Sequence, residues 1–137
     1  DIVLDTSFSI SELFNFHLGC QRKNCATLVV REDRDAEKYG SLGLSEENRI
    51  VKFLNFKVPE YNNFKSVMFT GISILEKSLI KEMPSISVYS LTKDVFKLEL
   101  ERGAIMCGYL LESYWCDAGT PERLVEAESY LKRLESK

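Results

Sequence analysis

The sequence predicts an α/β fold, as part of a mixed, mostly parallel central sheet flanked by helices. Strand-like and helix-like segments follow one another in the order β-α-β-hairpin-β-α-α-β-loop-α, which is typical of this class. The uncharged, largely β-branched run at 26–30 indicates a strand buried on both faces. At 137 residues the chain is near the usual size of one domain, so 1–137 is predicted to be a single domain.

The first half of the chain is predicted to hold a strand, a helix, a buried strand and a hairpin. The first strand ends at the turn-forming residues 5–7. Apolar residues at helical spacing follow, with Ser9 or Ser11 as the cap and Gly19 at the end. Charge-rich residues 31–38 predict a solvated loop. The predicted bounds are 1–4 for the first strand, about 18 for the end of the helix, 26–30 for the second strand, and 39–44 with 50–54 for the hairpin.

The second half is predicted to hold two strands and three helices. Gly71 interrupts the first of these strands, Pro84 stops the first helix, and Gly103 closes the second. Pro121 opens the last helix, where its missing N–H has no cost. The predicted bounds are strand 66–75, helices 76–83 and 92–102, strand 104–111, loop 113–120 and helix 121–134.

Composition excludes several classes of partner. The net charge of -3 argues against nucleic acid and against an anionic membrane surface. No apolar run reaches the length of a membrane span and no signal peptide is seen, so a cytoplasmic location is expected. The four cysteines form no C-x-x-C pair, and zinc is therefore not expected. The single histidine, His17, is predicted to be structural and partly buried.

Three sets of residues carry a family resemblance. Residues 114–122 read Y-W-C-D-A-G-T-P-E and resemble the W-x-D-x-G-T-P motif of sugar-phosphate nucleotidyltransferases, the nucleoside-diphosphate-sugar pyrophosphorylase type. Residues 1–5 resemble the stretch after N-G in the family's N-G-D strand. The pair at 39–40 and the segments 53–57 and 69–72 resemble its Y-G, F-x-E-K-P and F-T-G segments, in the same order. The chain as a whole therefore resembles the C-terminal, sugar-binding half of this family.

The resemblance implies the nucleotide-diphospho-sugar transferase-like fold without its N-terminal half. That half carries the family's G-x-G-T-R loop, which cradles the triphosphate, and the seven glycines of this chain form no such loop. The family reaction joins a sugar 1-phosphate to a nucleoside triphosphate and releases pyrophosphate. Both reactants are anions, so catalysis depends on positioning and on charge neutralisation.

Two aspartates are the predicted catalytic and metal-binding residues. Mg²⁺ requires hard oxygen ligands, and the resemblance assigns them to Asp1 and Asp117. The residues themselves allow two interpretations of Asp117. It lies at a strand-to-helix loop, where active sites of α/β sheets gather. Alternatively, Asp117 or Thr120 caps the helix that starts near Pro121.

Lys57 is the predicted contact of the sugar phosphate, because its ammonium group suits a phosphate. The alternative is that Lys57 is an ordinary solvated lysine. Its segment departs from the family pattern, because residues 55–59 read N-F-K-V-P and contain no Glu. The family's Glu binds sugar hydroxyls. Asn55 therefore replaces it, or the pocket is altered.

Four further residues are predicted to contact the substrate by resemblance. Gly40 and Gly71 match positions where backbone approaches the sugar closely, although either glycine could equally serve a turn or a strand kink. Thr70 precedes Gly71 in the F-T-G segment. Trp115 either walls the pocket or belongs to the core.

The resemblance implies a Mg²⁺-dependent sugar 1-phosphate nucleotidyltransferase, with a sugar 1-phosphate and a nucleoside triphosphate as its small-molecule partners. Without the triphosphate loop this chain alone is expected to be inactive. A missing half-sheet would expose strand edge and apolar surface, so self-association, or pairing with an N-terminal half in trans, is expected. The alternative is a non-catalytic regulatory or assembly module, which the missing Glu favours.

Overall fold

The computed structural model describes residues 2–20, 23–39, 41–83, 85 and 88–136. The strands are β1 (Ile2–Leu4), β2 (Asn24–Arg31), β3 (Leu42–Leu44), β4 (Ile50–Phe53), β5 (Phe56–Lys57), β6 (Lys65–Leu75), β7 (Ile105–Leu110) and β8 (Trp115–Asp117). The α-helices are α1 (Ile10–Gly19), α2 (Lys77–Glu82), α3 (Lys97–Glu101) and α4 (Pro121–Glu135). A 3-10 turn covers Ala36–Tyr39, and a π-helical turn, Leu91–Phe96, leads into α3.

The chain divides into two compact units. One consists of residues 1–10 and 112–137, and the other of residues 11–111. The sequence predicts one domain over 1–137. The first unit contains β1, β8 and α4, and the second contains the six remaining strands.

The α/β prediction is confirmed, but the prediction of a mostly parallel sheet is wrong. The larger sheet has the order β5-β4-β3-β6-β2-β7, and β2–β7 is its single parallel pair among the described residues. Short turns join β3 to β4 and β4 to β5, and such hairpins are antiparallel by construction. Strand β6 then returns antiparallel to both β3 and β2.

The β3–β4 hairpin turns back towards β7. The carbonyl oxygen of Asn48 accepts the N–H of Gly108 at 2.8 Å, and Arg49 forms an antiparallel bridge with Cys107. A side chain at Gly108 would place its Cβ 2.4 Å from Leu44 Cδ1. The hairpin can therefore pack this closely only because residue 108 has no side chain.

The core lies between one face of the six-stranded sheet and the segment formed by the π turn and α3. Phe96 contacts Phe53 and Phe69, with ring centroids 6.1 and 5.9 Å apart. Predicted helix 92–102 is confirmed by this segment, and Gly103 ends it at φ 85°. No helix in the part of the chain that the structure describes is both long and apolar enough to cross a membrane.

Helix α1 packs on the other face of the sheet through a buried polar network. His17 Nδ1 lies 2.7 Å from Thr27 Oγ1, and His17 Nε2 lies 2.9 Å from Glu76 Oε1. Asn24 Nδ2 donates to Thr27 Oγ1 at 3.0 Å, while Asn24 Oδ1 accepts the N–H of Cys107 at 3.2 Å. The histidine is thus a structural residue that joins α1, β2 and the end of β6.

Replacing His17 with Leu is expected to lower the free energy of unfolding by about 1–3 kcal/mol. The buried hydroxyl and amide of Thr27 and Asn24 would lose a partner and keep their desolvation cost. Urea denaturation followed by circular dichroism measures the change. Asn15→Ala, on the exposed side of the same helix, is the control, and a His17→Leu loss no larger than that of the control would contradict the network's role.

Two short strands were not predicted. Strand β8 lies within the predicted loop 113–120, and β5 lies just before the predicted loop 58–65. The predicted solvated loop 31–38 instead ends in a 3-10 turn whose Ala36 is buried. Each of these elements is too short to show a periodic pattern. The pairing partners of the two strands are set by the fold.

Candidate functional site

Asp117 is the last residue of β8. This strand pairs antiparallel with β1, and Asp117 lies opposite Ile2. Asp1, the second predicted metal ligand, lies outside the described residues. Side chains alternate along a strand, so Trp115 and Asp117 share one face of β8 while Cys116 is buried on the other.

The Asp117 carboxylate is held by two local contacts. Its Oδ1 accepts the N–H of Gly119 at 3.1 Å, and its Oδ2 accepts from Arg123 Nη1 at 3.0 Å. The side chain of Asp117 is 43% exposed and that of Arg123 is 41% exposed. A half-exposed ion pair of this kind contributes little stability, and the carboxylate remains accessible to a ligand.

Helix α4 is capped by Thr120. The residue has extended backbone, φ -126° and ψ 155°, and its hydroxyl accepts the N–H of Arg123 at 3.4 Å. Pro121 occupies the first turn, as predicted. Of the two alternative caps that the sequence allows, the structure therefore has Thr120, and the Asp117 carboxylate is not used for capping.

Aromatic and acidic residues that the sequence analysis did not single out hold the segment before Trp115. The rings of Tyr114 and Tyr130 stack with centroids 3.6 Å apart at 11°. The hydroxyl of Tyr130 donates to the carboxylate of Asp5, and the N–H of Asp5 donates to the carbonyl oxygen of Tyr114 at 3.0 Å. Helix α4 is thereby tied to the residues that follow β1 and precede β8.

Hydrogen bonds from Ser7 and then from Tyr130 lower the pKa of Asp5 from 3.8 to about 2. Because the folded-state pKa is depressed, the bonds stabilise the folded chain above pH 3.8, and this contribution is lost as the pH falls towards 2. Tyr130→Phe is expected to raise the pKa of Asp5 part of the way to 3.8, since Ser7 remains. Carboxyl ¹³C NMR titration measures this, with Tyr89→Phe as control. An unchanged Asp5 pKa in Tyr130→Phe would contradict the assignment.

Thr70 and Gly71 lie at an irregularity between β6 and β2. The pairing register shifts around Val29, and Gly71 has φ 88°, a conformation that favours glycine. Thr70 is buried and its hydroxyl donates to the carbonyl oxygen of Val29 at 2.8 Å. Gly71 is exposed. The part of this segment that is open to a ligand is therefore backbone at Gly71.

Asn55 and Lys57 belong to the β4–β5 hairpin, and both are exposed. Asn55 follows Leu54, which has φ 54°, in the connecting turn. Lys57 Nζ donates to the carbonyl oxygen of Tyr61 at 2.9 Å. Across the sheet, the row through Lys57 leads to Ser66 and not to Gly71. Gly40 lies outside the described residues.

The predicted site residues thus fall into three groups. Trp115 and Asp117 share a face of β8, Thr70 and Gly71 form the irregularity in β6, and the third group is the β4–β5 hairpin with Asn55 and Lys57. Within the described residues, no three His, Cys, Asp or Glu side chains cluster as a ready-made metal site. Asp117 offers one carboxylate.

Comparison with known proteins decides the family. The family model described as "Nucleotidyl transferase" matches residues 1–133. This chain belongs to the nucleotidyl transferase family. The family resemblance carried by the W-x-D-x-G-T-P motif together with the other matching segments is therefore confirmed.

Curated relatives of this family member include two kinds of enzyme. It is 30% identical over 128 residues to a mannose-1-phosphate guanylyltransferase of Mycobacterium tuberculosis, covering 90% of this chain and 33% of that protein. It is 28% identical over 132 residues to a glucose-1-phosphate adenylyltransferase of Bacillus cereus, covering 92% of this chain and 34% of that protein. The chain thus spans about a third of the length of these relatives.

A solved structure supports the fold. A Bacillus anthracis protein, provisionally assigned as a glucose-1-phosphate thymidylyltransferase and crystallised with sucrose, superposes with a TM-score of 0.64 at 23% identity. The match covers 95% of this chain and 51% of that protein. At this identity the likeness shows the shared fold.

Proposed function

We propose that this nucleotidyltransferase chain supplies the sugar-phosphate part of an enzyme that joins a nucleoside triphosphate to a sugar 1-phosphate. A phosphate oxygen of the sugar 1-phosphate would attack the α-phosphorus, the bond from that phosphorus to the bridging oxygen would break, and pyrophosphate would leave. One observation carries the proposal. Asp117, in the W-x-D-x-G-T-P segment, presents a half-exposed carboxylate that the helix cap does not use.

Mg²⁺ fits the donor set of this segment. Mg²⁺ is usually bound through one or two carboxylates together with substrate phosphates, without a complete protein cage. We assign Asp117 and Asp1 as its carboxylate ligands, and the ion when bound would neutralise negative charge on the phosphates. The N–H of Gly119 fixes Asp117 Oδ1, while Arg123 would exchange its contact with Oδ2 for phosphate oxygen.

The remaining predicted residues are assigned to the sugar phosphate. Gly71 offers exposed backbone in a conformation that leaves room for a closely bound sugar, with Thr70 fixing that backbone from within. Gly40 has the same proposed role, and Trp115 would form a wall beside Asp117. Asn55 stands where the family pattern has Glu, and Lys57 would have to exchange the carbonyl of Tyr61 for phosphate.

The chain by itself is proposed to lack the nucleotide-binding part. Its sequence has no G-x-G-T-R loop, and the chain covers about a third of the length of its curated relatives. A nucleotide-binding half, in the same polypeptide or in trans, would complete the enzyme. The names of the relatives give no support to the alternative of a non-catalytic module.

Trp115 provides a specific test, because it is the single Trp of the chain and shares a strand face with Asp117. Titration with glucose 1-phosphate or mannose 1-phosphate in Mg²⁺ is expected to give a saturable change in Trp fluorescence with at least one of them. Free glucose and mannose at matched concentrations should give little change, because they lack the phosphate. An absent response, or an equal response to the free sugars, would contradict the proposal.

A further inference from the structure

A cavity of about 370 Å³ opens at the N-terminal end of β7, within the unit formed by residues 11–111. The cavity is lined by Phe16 near the end of α1 and by residues 47–49 of the β3–β4 turn. Tyr61 and Ile105 are also among its lining residues. None of the predicted site residues that the structure describes lines this cavity. Its volume is at the lower end of ligand pockets, which suits a molecule of monosaccharide size.

Among the described lining residues, Arg49 is the cationic side chain, and its position is held by several contacts. Its Nη1 donates to the hydroxyl of Tyr61 at 3.3 Å, and its guanidinium carbon lies 5.5 Å from the centre of the Tyr61 ring. Its backbone forms the bridge with Cys107. The Nε atom is buried without a hydrogen-bond partner, and no carboxylate of the described residues lies within 4.0 Å of the guanidinium. A partly buried guanidinium that has no ion-pair partner among the described residues favours an external anion.

Glu47 lines the same cavity but is not the partner of Arg49. Its Oε2 accepts from the hydroxyl of Ser45 at 2.8 Å. The turn is held by Asn48, which has φ 59° and bonds to Ser45 and Gly108 through its backbone. The cavity therefore presents a separate guanidinium and carboxylate, with the Phe16 ring as an apolar wall.

We propose that this cavity binds a small polyhydroxylated anion, with its oxyanion paired to Arg49 and a hydroxyl donating to Glu47. Guanidinium matches phosphate or carboxylate with two parallel hydrogen bonds. A carboxylate accepts from hydroxyl groups, so Glu47 selects a ligand that carries both chemistries. The described residues that line this cavity are not those assigned to nucleotidyl transfer, and the proposal does not depend on that assignment.

The test uses calorimetric titration of the chain with glucose 6-phosphate and with gluconate, which separate phosphate from carboxylate as the anion. Free glucose and inorganic phosphate are the comparison ligands. Saturable binding of at least one hydroxylated anion, tighter than either comparison ligand, is expected. Arg49→Gln should weaken it about tenfold or more through the lost charge-assisted bonds, whereas Arg34→Gln, at an exposed arginine of the same unit, should not. Circular dichroism checks the fold of each variant.

A second variant and amide chemical-shift mapping of the binding site complete the test. Glu47→Gln, at an exposed side chain, should weaken the binding of the hydroxylated anion and should not weaken the binding of inorganic phosphate. Amide ¹H–¹⁵N shifts should change at residues 47–49, 61 and 105–107. The proposal is overturned by absent saturable binding, by equal affinity in Arg49→Gln, or by shifts confined to residues 70–72 or 115–119, which would place the ligand at the residues assigned to transfer.

Discussion

Asp117→Asn is expected to weaken binding of Mn²⁺, used as a probe for Mg²⁺, by about a hundredfold. Metal ions of this class require hard oxygen ligands, and loss of even an outer-shell partner costs 10–100-fold in affinity. Asp117 is also the carboxylate whose other contacts are weak and local. Electron paramagnetic resonance of free Mn²⁺ in the presence of a sugar 1-phosphate measures the change.

Arg123→Gln is the matched control for this variant. It removes the same ion pair from the other side. In the absence of a sugar 1-phosphate it should leave Mn²⁺ affinity unchanged or raise it, because Arg123 competes for Asp117 Oδ2, whereas Asp117→Asn should weaken Mn²⁺ binding with or without the sugar 1-phosphate. Glu126→Gln, at an exposed carboxylate of α4, controls for charge alone. If Asp117→Asn and Arg123→Gln changed the Mn²⁺ affinity equally, Asp117 would be a structural partner of Arg123 and not a metal ligand.

The purified chain is expected to release no pyrophosphate from any of the four common nucleoside triphosphates with glucose or mannose 1-phosphate and Mg²⁺. Triphosphates need preorganised N–H donors and cations to replace their hydration, and the family's loop for this purpose is absent from the sequence. An enzyme-coupled pyrophosphate assay measures the rate. Steady turnover by the chain would mean that it carries a triphosphate site of its own, and it would contradict this prediction.

The same preparation is expected to associate in solution. Helix α1 leaves Phe14 and Leu18 50% and 64% exposed, one helical turn apart, while Leu13 and His17 of the same helix are buried. Apolar side chains in such a row are typical of a contact surface. Light scattering gives the mass, and a monomer at all concentrations would contradict this expectation.

Much of the fold could be predicted because its elements are marked locally. The buried run at 26–30, the glycine that ends α1 and the proline that begins α4 all predicted real elements. Strand direction has no such local mark, and the mostly parallel sheet was therefore wrong. Strand β8 escaped prediction since its pairing of Trp115 with Leu4 joins opposite ends of the chain.

The candidate site was predictable only where a motif names it. The W-x-D-x-G-T-P segment singled out Asp117 and Trp115, and the alternative cap at Thr120 was also visible in the sequence. The cavity at Arg49 had no such signal, because it depends on the bridge between Arg49 and Cys107. Likewise, the sequence matched Lys57 to a motif position, but the pairing of β5 with β4 determines which residues lie beside Lys57 in the sheet.

Paramagnetic broadening by Mn²⁺ in ¹H–¹⁵N spectra would locate the metal-assisted sugar-phosphate site. The amides of residues 115–119 are expected to broaden selectively at low Mn²⁺. Glucose 1-phosphate or mannose 1-phosphate should strengthen this broadening, while the free sugar should not. Two results would contradict the assignment of this segment to a metal-assisted sugar-phosphate site. One is broadening confined to other acidic surfaces, and the other is broadening at 115–119 that does not change when the sugar 1-phosphate is added.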